Sequence, residues 1–165
     1  MTVAFFSGKA RRAGVALGAV SAGLIVLSAC GWTKPTPIAT VTVGSDSYNT
    51  EAAESCYDEG GLKESRVQEC LSAKGGKTVE VSVDDRIRFG VDPEIAENGW
   101  TIFLDGERAE QEPYTKTYRS ISASSFFAGP AMGGQSPSSI RVAILETDAK
   151  TKKAVGVYRF LLKKV

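Results

Sequence analysis

Val79-Glu80-Val81-Ser82-Val83-Asp84-Asp85-Arg86-Ile87-Arg88-Phe89-Gly90-Val91 is the stretch on which the fold turns. Valines at 79, 81 and 83 alternate with Glu80, Ser82 and Asp84. Past Asp84-Asp85, the residues Ile87, Phe89 and Val91 alternate with Arg86, Arg88 and Gly90. A period of two places every second side chain on the same face of a pleated strand, so each run has one apolar and one polar side. Two strands are expected here, with the turn at Asp84-Asp85 and the second strand a neighbour of the first.

The pattern continues toward the C-terminus. Trp100–Leu104 is a more continuously apolar strand that runs into Asp105-Gly106, a tight-turn dipeptide. Residues 114–121 (YTKTYRSI) alternate, and 125–128 (SFFA) form a short apolar piece before a loop rich in Gly, Ser and Pro over 129–139. Residues 140–146 (IRVAILE) and 155–162 (VGVYRFLL) read as a closing hairpin. Toward the N-terminus, 38–43 (IATVTV) is a first strand rich in β-branched residues.

Residues 44–77 interrupt this pattern with Gly60-Gly61, Gly75-Gly76, two cysteines and many charges. Within them 62–73 (LKESRVQECLSA) is a helix, with Leu62, Arg66, Cys70 and Ala73 on one side and Gly75 as its stop. About seven strands with turn signals between them and one helix imply an all-β fold. The expectation is an immunoglobulin-like β-sandwich with one short disulfide-linked helix, a small β-barrel being the alternative.

The 165 residues divide into 1–29, 30–37 and 38–165. Lys9, Arg11 and Arg12 form a positive head, and 13–29 (AGVALGAVSAGLIVLSA) is uncharged and mostly apolar. This is the layout of a secretory signal, and the apolar run is marginal for spanning a bilayer core. Leu27-Ser28-Ala29-Cys30 resembles a bacterial lipobox, in which the cysteine receives a diacylglyceryl group and a peptidase cuts before it. Two acyl chains suffice for stable anchoring. Residues 31–37 (GWTKPTP) form an extended tether, its two prolines favouring open backbone.

Removal of the leader leaves seventeen basic against nineteen acidic residues, a net charge of −2. A weakly acidic domain has no electrostatic pull toward nucleic acid. Three cysteines are present; with Cys30 lipidated, Cys56 and Cys70 remain as a structural disulfide suited to an oxidising compartment. Their spacing does not match the C-x-x-C of redox dithiols.

Histidine is absent, which removes the usual general base and the commonest zinc ligand. The acidic pairs Asp84-Asp85 and Glu110/Glu112 suggest glycosidase carboxylates less readily than a turn and a polar loop. Asp92, Glu94 and Glu97 lack an EF-hand loop, and residues 129–134 (GPAMGG) lack the lysine of a phosphate loop. No catalytic residue, metal or cofactor is expected.

A binding loop is open to Asn98, Trp100, Phe126, Phe127 and Met132, with the two phenylalanines either an exposed patch or part of the core. Asn98-Gly99-Trp100 resembles a loop of the chagasin-type cysteine protease inhibitors, which implies an immunoglobulin-like inhibitor as one alternative. The chain as a whole resembles small lipoproteins of actinobacteria that carry no established activity. That resemblance rests on Leu27–Cys30, Lys34-Pro35-Thr36-Pro37, Thr40–Val43, the cysteine pair, 89–93 (FGVDP) and Gly99-Trp100. It implies a membrane-anchored protein on the extracytoplasmic face, a non-enzymatic binding or envelope-accessory module with an envelope protein or ligand as partner. A carboxylate-based envelope enzyme is the further alternative.

Overall fold

The computed structural model describes residues 35–128 and 136–165. Nine strands among them form two sheets. Strands β1 (Ile38–Val43), β2 (Asp46–Glu51), β4 (Arg86–Val91) and β7 (Tyr118–Ser122) lie in the order β2-β1-β4-β7, all antiparallel. Strands β3 (Lys77–Val81), β5 (Trp100–Leu104), β6 (Glu107–Arg108), β8 (Ser139–Thr147) and β9 (Ala154–Lys164) lie in the order β3-β9-β8-β5-β6. Only β3 and β9 run parallel. Two open sheets face each other, so the fold is a sandwich and not a closed barrel.

The order matches the immunoglobulin-like plan. β1, β4 and β7 stand where strands A, B and E stand in one sheet, and β5, β8 and β9 occupy the C, F and G places of the other. The inward faces supply one core: Ala39, Val41, Ile87 and Phe89 from one side, Val79, Ile102, Ile144, Tyr158 and Phe160 from the other.

The two alternating runs that decide the fold class are strands, but they are not neighbours. β3 pairs with β9 and β4 pairs with β1 and β7, so the chain crosses from sheet to sheet at residues 82–85. Asp85 makes this crossing: its carboxylate accepts the Ser82 N–H at 2.8 Å, and its own N–H donates to the Ser82 carbonyl at 3.1 Å. Alternation reports which face is apolar and nothing about the partner. Two strands facing the same core from opposite sheets therefore look like a hairpin.

Strands β2 and β6 bring the count above the expected seven. β2 is polar apart from Tyr48, which packs against the core, and pairs with β1 across Gly44-Ser45, where Gly44 takes φ 58°, the conformation that a glycine-first hairpin turn requires. The strand expected at 114–121 is confined to 118–122, with Tyr114 making an isolated bridge to Trp100. Residues 123–125 form a 3-10 turn.

The expected helix is α1 (Glu64–Ser72). A second, α2 (Pro93–Asn98), begins as Asp92-Pro93-Glu94 with proline at its first turn, a start signal present in the sequence. The Cys56–Cys70 disulfide is formed, with Cα atoms 5.9 Å apart. It ties the 3-10 turn Glu54–Cys56 to α1 and belongs to a second apolar cluster on the outer side of the larger sheet. That cluster holds Cys56, Val67, Cys70 and Leu71 against Phe103, Ala143, Leu145 and Val157.

Candidate functional site

Of the residues expected to form a binding loop, those described are turned inward. Trp100 is fully buried, its indole Nε1–H donating to the Lys116 carbonyl at 2.9 Å and its ring edge-on to Tyr114 at 5.3 Å. Phe126 and Phe127 are core residues, and Phe126 packs on Phe89 with centroids 5.7 Å apart. The exposed-patch reading of these phenylalanines is therefore replaced by the core reading: after β7 the chain turns back under the sheet edge, and both rings follow it inward. Asn98 ends α2, and its amide donates to Glu146 Oε1 at 2.6 Å. Trp100 is thus withdrawn from the surface, whereas Asn98 is half-buried. Met132 and Cys30 lie outside the described residues.

Asp92 Oδ2 accepts the Ile38 N–H at 2.9 Å and fastens the start of β1 to the end of β4. Among the described residues no three Cys, Asp or Glu side chains are placed to hold a metal ion. Nor is any described helix long and apolar enough to cross a membrane.

Glu146 is the residue whose importance the sequence reading missed. It shares the inward face of β8 with Ile140, Val142 and Ile144, and its side chain is fully buried. Tyr158 on β9 donates its hydroxyl to Glu146 Oε2 at 2.9 Å, opposite the Asn98 amide on Oε1. Gly156 pairs with Glu146 in the register, and a Cβ there would come within 3.0 Å of the Tyr158 hydroxyl. Burial first, then the charge and hydrogen bond of Glu146, raise the Tyr158 pKa far above its ordinary 10.0. The signal was available: in 140–146 the glutamate stands at the parity of the apolar residues. Glu146 and Tyr158 are both fully buried, and Asn98 is half-buried beside them.

A cleft with a mixed lining lies elsewhere, between the end of β5 and the edge strand β7. It encloses about 180 Å³ and is walled by Ile102, Leu104, Ala109, Ile121 and Phe126, with Ser125 beside them. Glu110 and Arg119 also line it and form an ion pair, their side chains 31% and 29% exposed. The Arg119 guanidinium additionally lies over the Tyr114 ring, 5.5 Å from its centre. A larger hollow of about 310 Å³ between α1 and β5 is lined by Val67, Leu71, Phe103 and Leu145 together with Glu64, Gln68, Arg108 and Lys152.

The outer face of the four-stranded sheet is the other exposed feature. The register brings Thr40 beside Asn49, and Thr42 between Ser47 and Arg88, with Ser120 next across. Thr40 donates to Asn49 at 2.9 Å, and the Thr42 and Ser47 hydroxyls lie 3.0 Å apart. Tyr118 stands at its edge, 66% exposed.

No protein-family model matches the chain, and no curated protein matches it. Among solved structures it is similar to the fibronectin(III)-like modules of Clostridium thermocellum CbhA, at 8% identity and a TM-score of 0.36, over 56% of this chain and 94% of that one. A likeness so distant carries no argument about activity.

Proposed function

We propose that this chain is a lipoprotein of the cell envelope: exported, cleaved before Cys30, held to the extracytoplasmic face by a diacylglyceryl group, and acting as a binding or accessory module without catalysis. The observation that carries the reading is Leu27-Ser28-Ala29-Cys30 at the end of a positively headed apolar leader. The closed Cys56–Cys70 bridge supports it, because such a pair persists in oxidising compartments and leaves Cys30 as the one cysteine available for acylation. A sandwich that presents a small mixed cleft and a bare polar sheet face is suited to recognition. The resemblance to small actinobacterial lipoproteins belongs to the same proposal.

Replacing Cys30 tests it. In the parent chain, mass spectrometry of the membrane fraction should find an N-terminus at Cys30 carrying the mass of a diacylglyceryl group. Cys30→Ala should accumulate uncleaved precursor without lipid. A Cys30→Ala protein that remains processed and membrane-bound overturns the anchor. Turnover of a hydrolase substrate panel, abolished by changing a single acidic residue, overturns the non-catalytic part.

A further inference from the structure

The cleft between β5 and β7 joins an apolar interior to an ion pair at its rim, and that combination restricts what can enter. Its 180 Å³ is room for about six water molecules, the size of a small metabolite. Ile102, Leu104, Ile121 and Phe126 offer the interior no hydrogen bonds from their side chains, so the group that fills it is apolar. Glu110 and Arg119 are each about two-thirds withdrawn from water, so a partner that takes one of them strands the other.

An anionic ligand satisfies Arg119 and leaves Glu110 unmatched, and a cationic ligand does the reverse. A ligand with both charged groups on one carbon exchanges one ion pair for two and leaves neither group uncompensated. The flanking structure favours such an exchange. Glu110 sits between two tied points, the Ala109 N–H on the Ile102 carbonyl at 2.9 Å and Arg108 Nη1 on the Gln111 carbonyl at 2.8 Å. Arg119 keeps its contact with the Tyr114 ring whichever carboxylate it faces.

We propose that this cleft binds a free aliphatic α-amino acid, with its side chain among Ile102, Leu104, Ile121 and Phe126, its carboxylate on Arg119 and its ammonium on Glu110. Selectivity follows from the two ends together. Blocking either charge removes one of the two new ion pairs, and removing the side chain leaves the apolar interior unfilled.

The test is calorimetric titration of the full chain with L-leucine as the probe, beside N-acetyl-L-leucine, L-leucinamide and glycine. Leucine should bind saturably, and each of the other three should bind at least about tenfold more weakly. Ala109→Phe, at an exposed rim position, should fill the cleft and abolish leucine binding while the circular dichroism stays that of the parent. The double variant Glu110→Gln/Arg119→Gln should lose the preference for leucine over its two blocked forms. Absence of saturable leucine binding overturns the proposal. So does equal binding of the blocked forms, or leucine binding that survives in folded Ala109→Phe. If a variant fails to fold, the four-ligand series on the parent chain still decides. The inference deepens the reading of the chain as a binding module but does not depend on the anchor, because lipidation and amino-acid binding are measured separately and each can fail alone.

Discussion

The outer faces of the two sheets have opposite surroundings. On the five-stranded sheet Phe103, Ala143, Leu145 and Val157 lie beneath α1 and the disulfide, so its central strands are buried on both sides. On the four-stranded sheet the outer residues Thr40, Thr42, Ser47, Asn49 and Arg88 meet solvent. A strand covered on both faces has no polar side to show, and it reads as a continuous apolar run, as in Val142–Leu145 and Val155–Tyr158. A strand covered on one face alternates, as in β1 and β4. The excursion at residues 52–76 is thus a cover for one sheet, fastened by a covalent bond because so short a helix buries little area of its own.

Two variants break this difference most forcefully. Leu145→Ala should lower stability by about 2–5 kcal/mol in denaturant unfolding, the cost of a cavity in a packed interior. A loss below about 1 kcal/mol would mean that the outer side of β8 is not a core at all. Cys56→Ser with Cys70→Ser should lower stability by about 3 kcal/mol, the chain-entropy value for a loop of this length. It should also raise hydrogen exchange in α1 more than in β1 or β4. Uniform exchange would show that the bridge does not hold the cover in particular.

The same contrast explains what could be read beforehand. β1, β4 and the β8–β9 hairpin were legible because alternation or long apolar runs survive in them. α1 and the cysteine pair were legible from spacing and count. β2 was not, since an edge strand with Asp46, Ser47 and Asn49 carries no hydrophobic period, and only Gly44 marks its turn. Partnership was not legible either, which is why β3 and β4 looked adjacent. The cleft depends on Glu110 and Arg119 meeting across a loop, a contact that no local pattern encodes. Glu146 was legible in principle, from its parity among apolar residues.

Tyr158 sharpens the account of the core between the sheets. Tyr158→Phe withdraws one of the donors to buried Glu146 and should cost about 1–3 kcal/mol near neutral pH. Its pH dependence has a definite sign. The tyrosine of the unfolded chain ionises near 10.0, whereas in the folded chain burial and the adjacent carboxylate keep the proton on. The contribution is therefore fully present below pH 10 and declines as pH rises above it, because unfolding then releases a proton. Stability of the parent chain should fall more steeply above pH 10 than that of Tyr158→Phe. Parallel curves would mean that Tyr158 ionises in the folded state as it does in water.

The smallest effect compares threonine with threonine. Thr101 points to the covered side of β5, and its buried hydroxyl has no hydrogen-bond partner among the described residues. Thr42 sits on the bare face, where its hydroxyl meets Ser47 at 3.0 Å and water is available to both. Valine has nearly the shape of threonine and the same β-branch, so strand preference and packing are almost unchanged in either replacement and the hydroxyl alone is removed. Thr101→Val should therefore raise stability by about 1 kcal/mol, because a desolvated group without a partner is relieved. Thr42→Val should change it by less than about 0.5 kcal/mol. Matched denaturant curves on the two variants decide the point. A destabilised Thr101→Val would mean that water reaches this hydroxyl beneath the cover, and that the two faces differ less in dryness than in shape.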